Sequence, residues 1–283
     1  MIQRFKYFFP IYLKQLAPYI LLGVGLFLLV IARLHFTKFT YAIRTQTVRV
    51  TSPQQIVKIN SNYVLPILYT HVNGLAELPS DEAKVSFISA VLPAVLVAKH
   101  EIDMLKVRLD LLKADNSWSR RDSGFYHAVQ RKYKGKDIGE ILSRIGTLPN
   151  SIVIAQAAVE SGWGQSRFFL QANNLFGVWS FNSKEPRIAA GKARGEKTIY
   201  LKSYNNISES IINYFEILSS SPAYKALRAA RSAQRDPFKL LPHLVNFSER
   251  RRAYTRQLKT VIEQNDLTVY DDYEVDPDYI FER

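Results

Sequence analysis

One carboxylate in this 283-residue chain, Glu160, stands where a side chain could do acid chemistry. It closes the apolar run Ile152–Val159, in which only Gln156 is polar, and Ser161-Gly162-Trp163-Gly164 comes directly after it. An acid in the last turn of a helix faces the negative end of the helix dipole. Partial burial acts in the same direction, so the ionised form is disfavoured and the pKa rises. A proton donor working near neutral pH needs that shift. The bland alternative is a surface glutamate fraying off a core helix, because structural carboxylates can also carry perturbed pKa values. Gly162 and Gly164 weigh toward the first reading, since they leave the corner open to a ligand.

The elements that must position Glu160 are legible around it. A helix apolar on all sides is a core helix. Asn150 or Ser151, after Pro149, supplies an N-cap, and Gly162 supplies the residue that tolerates positive φ at the end. A second tight turn lies at Asn173-Asn174-Leu175-Phe176-Gly177. Residues 178–203 change to short β-prone pieces such as Thr198-Ile199-Tyr200-Leu201, which predicts a small hairpin lobe. Helices are predicted at 123–145 (two pieces joined near Lys134-Gly135-Lys136), 208–219, 222–233, 237–245 and 249–264.

Several chemistries are excluded. Cysteine is absent, which removes disulfides and thiol catalysis. His35, His71, His100, His127 and His243 are scattered without ligand spacing, and no HExxH pair exists. No metal or organic cofactor is implied. Ser161 lies in no nucleophile elbow, and Gly162-x-Gly164 comes after a helix rather than a strand, unlike a dinucleotide loop. Net charge is +13 and unevenly spread. No acid precedes Glu77, and Asp266–Arg283 holds seven acids against one base. The middle, 77–265, is therefore strongly basic and suits a polyanion. No helix-turn-helix, RNP or zinc-knuckle wording is present, so nucleic acid is not the expected partner. Arg250-Arg251-Arg252 reads as a solvated helix face.

The wording QAAVESGWG, with NNLFG after it, resembles the glucosaminidase family of peptidoglycan hydrolases, glycoside hydrolase family 73. Leu201-Lys202-Ser203-Tyr204, Ser208-Glu209-Ser210-Ile211, Ser221-Pro222-Ala223-Tyr224-Lys225 and Phe247–Tyr254 continue the resemblance in order from about 140 to 265. Residues 80–145 resemble the helical extension of the Bax-type branch of bacterial proteins. The resemblance implies a mainly α, lysozyme-like α+β catalytic domain with a small β-hairpin lobe over a saccharide groove. It implies cleavage of the β-1,4 bond after N-acetylglucosamine in peptidoglycan glycan strands. Glu160 would be the catalytic acid and Tyr254 the tyrosine near the reacting sugar. Trp163, Asn174, Phe176, Gly177 and Trp179 would line the subsites. Many glycosidases use a second carboxylate. The acids of the β-lobe are Glu185 and Glu196, neither in a matching motif, and the substrate's own N-acetyl group is the third candidate. A non-catalytic peptidoglycan-binding or cell-wall assembly protein is the alternative.

Gln15 to Ala32 is uncharged and just long enough to cross a bilayer. It lacks a small-x-small cleavage site, so it reads as a retained signal anchor. The flanking positive charges balance and leave orientation open. A cytoplasmic N-terminus rests only on the expected external substrate. The expected organisation is a cytoplasmic 1–14, a transmembrane anchor at 15–34 in the bacterial inner membrane, and a linker at 35–79. Next come a helical extension at 80–145, a periplasmic glucosaminidase domain at 146–265 and an acidic tail at 266–283. The linker is expected as a tether with a short strand around Val48–Val50 and a helix near Tyr63–Val72. Val85–Ala98, which contains Pro93, is too short to span and is expected to be a core helix that Glu101–Leu112 continues with helical spacing, in a long hairpin-like helical extension packed against the catalytic unit. The tail is expected to be flexible or docked on the basic body.

Overall fold

The computed structural model describes residues 40–115, 117–191 and 198–282. The expected anchor at 15–34 lies outside them.

The centre of the fold is a 35-residue helix, α1 (Ser80–Ala114). Asp81 and Glu82 complement the dipole at its start and Lys113 at its end. Pro93 lies inside it without ending it, and Val85–Ala98 and Glu101–Leu112 form one continuous helix, as the continuing helical spacing predicts. Among the described residues it is the one helix long and apolar enough to cross a membrane. Yet 78% of its most apolar stretch is buried within the protein, which makes it a core helix. Its middle, Phe87 to Ala98, is buried, and the helix packs against both the earlier strand Ile67–Thr70 and helices from later in the chain.

The chain continues through α2 (Arg120–Tyr133), α3 (Ile138–Arg144), α4 (Asn150–Ser161) and α5 (Arg167–Ala172). The small lobe comes next, formed by β5 (Trp179–Ser180), β6 (Arg187–Ala189) and β7 (Tyr200–Lys202). These make one antiparallel sheet with β7 in the middle, pairing Trp179 and Ile188 with Leu201. Helices resume with α6 (Ile207–Ser220), α7 (Lys225–Ala233), α8 (Pro237–Leu240) and α9 (Arg252–Gln264). Asn206 caps α6 by accepting from Glu209 N, and α6 and α4 pack against α1. The expected mainly helical architecture with a small β lobe is the observed one.

The stretch expected to be a tether folds onto this body over its described part. It forms β1 (Tyr41–Ile43), β2 (Gln46–Arg49), β3 (Tyr63–Val64) and β4 (Ile67–Thr70). β2 lies parallel to β4. Val50, Tyr69, Val72 and Leu75 are buried in the common core. Residues 63–72 are extended rather than helical, because Val64, Leu68 and Tyr69 insert from short strands with no helical period.

The acidic tail is docked. Leu267 is buried at the head of a 3₁₀ turn (Leu267–Asp272). Then β8 (Glu274–Val275) pairs parallel with β3, and β9 (Ile280–Glu282) pairs antiparallel with β1. Beginning and end of the described chain are thus stitched together in two places.

Candidate active site

Helix α4 is buried from Asn150 to Ala158. Its first turn has no cap from its own flank. Asp271 of the tail serves instead, accepting from Ser151 N at 2.7 Å and Ser151 Oγ at 2.8 Å. Asn150 donates to Tyr270 O and accepts from the Lys99 ammonium, both at 2.7 Å. The expected capping residues therefore act as receptors for a distant segment. A carboxylate at a helix N-terminus satisfies orphan donors and the dipole together.

The other end of α4 turns on three consecutive left-handed residues, Gly162 (φ 59°), Trp163 (φ 56°) and Gly164 (φ 82°). The Ser161 hydroxyl ties the corner by donating to Ala157 O at 2.6 Å and accepting from Gly164 N at 2.9 Å. Gly162 is open, as expected for a ligand corner. Gly164 is not. A Cβ there would lie 2.9 Å from both Leu75 Cδ1 and Phe87 Cδ2, so this glycine serves close packing. A tryptophan in the left-handed region costs roughly 1 kcal/mol. The Trp163 ring is held edge-on to Phe87 at 5.6 Å, with the Lys84 ammonium 5.7 Å from its centroid.

Glu160, half-buried in the last turn of α4, has its pKa pushed up by burial. A hydrogen bond from the Tyr254 hydroxyl and the charge of Arg250 partly oppose that shift. Gln156, one turn earlier on the same face, explains the polar interruption of the apolar run. Its Oε1 accepts from Tyr214 Oη at 2.5 Å, and its Nε2 donates to Tyr254 Oη at 3.0 Å. With that acceptor position filled, the Tyr254 proton is left to point at Glu160. Burial first, and the neighbouring Glu160 charge second, hold the Tyr254 phenol far above its usual pKa. It therefore remains a neutral donor. The Arg250 guanidinium lies 5.5 Å from the Tyr254 ring centroid. Arg250 is thus part of the site rather than only a solvated charge.

A ladder of rings fixes Tyr254 from behind. Tyr254 stacks on Phe247 (5.7 Å, 10°), Phe247 meets Tyr214 edge-on (5.9 Å), and Tyr214 stacks on Phe176 (4.3 Å, 17°). Phe176 is buried in this ladder, so its expected subsite role gives way to support of the two tyrosines. Asn174 is likewise committed to the fold. Its Nδ2 donates to Val178 O and Lys202 O, and its Oδ1 accepts from Val178 N. This latch ties the turn to β7. Asn173 does similar work, accepting from His71 N and donating to Tyr204 O. Gly177 (φ 63°) has nothing within 4 Å of an added Cβ and leaves its face open.

The β-lobe carries exposed rings and one fixed acid. Trp179 is 48% and Phe181 87% exposed, with centroids 6.1 Å apart. Such a pair is a platform on which a flat apolar face can stack. Glu185 is anchored. Ser180 Oγ donates to it at 2.7 Å and Lys202 Nζ lies 3.4 Å away. Partial burial alone would raise its pKa, but these two partners outweigh that and hold it below the usual range. Glu185 is therefore a held, ionised carboxylate and not a freely solvated hairpin residue. No hydrogen bond joins it to Glu160 among the described residues, and Glu196 lies outside them. The structure thus brings Glu160 and Tyr254 together, places Trp179 and Glu185 on the adjoining lobe, keeps Trp163 half-buried at the corner, and makes Asn174 and Phe176 framework. Sequence reasoning misses Gln156, Tyr214 and Arg250. The lone amide four residues before Glu160 is the signal available for the first.

Residues 135–267 match the family model described as Mannosyl-glycoprotein endo-beta-N-acetylglucosaminidase. Protein bax of Escherichia coli K12 is 25% identical over 196 residues, covering 64% of this chain and 69% of that protein. Peptidoglycan hydrolase FlgJ of Escherichia coli O157:H7 is 32% identical over 107 residues, 34% of each protein, so the chain spans about a third of that relative's length. Among solved structures, the catalytic domain of the autolysin Auto from Listeria monocytogenes aligns with a TM-score of 0.37 at 22% identity, covering 58% of this chain and 95% of that one. The glycoside hydrolase domain of Salmonella typhimurium FlgJ aligns with a TM-score of 0.34 at 26% identity, covering 42% and 84%. Residues 135–267 thus form a glucosaminidase domain, homologous to Bax and to the FlgJ peptidoglycan hydrolases.

Proposed function

We propose that this protein hydrolyses the β-1,4 bond after N-acetylglucosamine in peptidoglycan glycan strands, with Glu160 as general acid. The observation that carries the proposal is the Gln156–Tyr254–Glu160 arrangement. Burial favours the protonated form of Glu160 before reaction. Glu160 gives that proton to the glycosidic oxygen as the bond breaks and an oxocarbenium-like sugar develops. The carboxylate so formed is stabilised by the Tyr254 O–H and the Arg250 charge, which matter only once it is ionised. A water then adds to the sugar carbon, and its released proton restores Glu160. Tyr254 acts as a positioning residue.

The second group is Glu185 in this proposal. Its pKa is displaced opposite to that of Glu160, so it stays ionised and stabilises the positive charge that develops on the sugar, while Glu160 serves as acid and then as base. Trp179 and Phe181 stack on sugar faces beside it. Residues 15–34 anchor the chain in the bacterial inner membrane with the folded part in the periplasm.

The test digests purified sacculi with the full chain and identifies fragment ends by mass spectrometry. New reducing ends on N-acetylglucosamine are expected, with loss of cleavage in Glu160→Gln and in Glu185→Gln. Full activity of Glu185→Gln with Glu160→Gln inactive moves the second role to the substrate N-acetyl group. Binding of sacculi with no cleavage by the unaltered chain would refute the enzymatic proposal and favour a wall-binding protein.

A further inference from the structure

At the far end of α4 from Glu160, about 16 Å along the helix axis, lies a cavity of about 480 Å³. Its walls are the α3–α4 connection, Lys106 of α1, Arg228 and Arg231 of α7, and Arg235. Four cations line it and no carboxylate does. None of the four makes an ion pair among the described residues.

Arg231 is the best defined of them. Its Nη2 donates to Arg144 O and, at 3.3 Å, to Ser219 Oγ. Its guanidinium lies against Gly146, where an added Cβ would come 3.1 Å from Cζ. That glycine lets the connecting backbone lie flat on the cation. A further nitrogen, Nη1, is enclosed by protein and has no hydrogen-bond partner. A buried charged donor without an acceptor is costly and uncommon. Burial, with Arg228 adding repulsion, draws the Arg231 pKa down to about 10. Arg228 is also preset, donating through Nη1 to Leu218 O and Ser221 O. Fixed guanidinium forks are suited to carboxylate and phosphate oxygens.

We infer that this cavity is a second binding site, for a dianionic group of a small ligand, either a phosphate or a pair of carboxylates. Arg228 provides the fixed donors, with the Arg231 charge held behind them. Lys106 and Arg235 provide the surrounding charge. The site is separate from Glu160 and does not depend on the proposed hydrolysis.

Isothermal titration calorimetry of the purified full chain with inorganic phosphate, and separately with succinate, tests it. Saturable binding of at least one anion is expected. Tighter phosphate binding identifies a phosphorylated ligand, and tighter succinate binding a dicarboxylate. Arg231→Met should weaken binding roughly tenfold or more. The double variant Lys106→Met/Arg235→Met should weaken it comparably, and neither side chain holds a hydrogen bond that the fold needs. Glu160→Gln should bind like the unaltered chain. The inference is overturned if neither anion saturates, if both cavity variants bind undiminished, or if Glu160→Gln alone loses binding.

Discussion

The Gln156–Tyr254 hydrogen bond offers the sharpest test of how this site is held. Both side chains are fully buried, 98 residues apart in sequence. Tyr254→Phe removes one hydroxyl and leaves Gln156 Nε2 without an acceptor. A buried unsatisfied donor costs about 1–3 kcal/mol. Gln156→Leu strands the Tyr214 hydroxyl, which donates to Gln156 Oε1 at 2.5 Å, and removes the donor to Tyr254. Two disturbed buried groups put that variant at about 2–5 kcal/mol. In the double variant only the Tyr214 hydroxyl is stranded. The double should therefore cost less than the two singles together, by about 1–3 kcal/mol, measured as the coupling in a urea-unfolding cycle. The same variants carry a second readout. The Tyr254 hydroxyl favours the ionised form of Glu160. Without it the Glu160 pKa rises further, so the alkaline limb of kcat/KM moves to higher pH while the rate falls. Strictly additive unfolding energies, or an alkaline limb that stays still in Tyr254→Phe, would refute the arrangement.

Other perturbations draw on the same geometry. Because burial raises the Glu160 pKa above its ordinary value of 4.5, the folded state disfavours the ionised side chain. That penalty is fully present above the raised pKa and absent once pH falls below 4.5. Glu160→Gln should therefore melt at a higher temperature than the unaltered chain at pH 7, with the advantage vanishing toward pH 4 in thermal scans. Asp271→Ala removes the acceptor for Ser151 N and Oγ and should cost about 1–3 kcal/mol in denaturant unfolding. Asp271→Asn, which keeps one acceptor, should cost less. Gly164→Ala forces a methyl to 2.9 Å from two core side chains at φ 82° and should cost about 1–3 kcal/mol or more. Gly162→Ala, with open space at φ 59°, should cost only about 1 kcal/mol in the same assay.

Local chemistry is legible in the sequence and distant chemistry is not. The apolar run, the glycine after it and the Asn173–Gly177 turn fix α4 and its corner from neighbouring residues alone. Helices α6 to α9 are visible through their period and their caps. Of the β-strands before Ser80 only the one near Val48 is foreseen, because the others are short and lack alternation, and β1 and β3 have distant partners. Their partners β8 and β9 lie some 200 residues onward, and a single sequence gives no sign of such pairing. Asn174 and Phe176 suggest ligand contact because a tight aromatic turn looks the same whether it faces a groove or the core. Only the hydrogen bonds of Asn174 to β7, and the ring of Tyr214 under Phe176, decide between them. Gln156 is visible as an anomaly, but its meaning depends on Tyr214 and Tyr254, 58 and 98 residues away.

The stitched ends of the fold bear on when it can become competent. While residues 271–282 are still to be synthesised or exported, β1 and β3 lack neighbours and the amide donors at the head of α4 stand bare. A growing chain could coil its helices early, since those contacts are local, yet closure across such sequence distances is slow. Restraint of α4, and of Glu160 at its other end, then waits on the docking of residues 271–282, so the corner is held by a segment more than a hundred residues away in the chain.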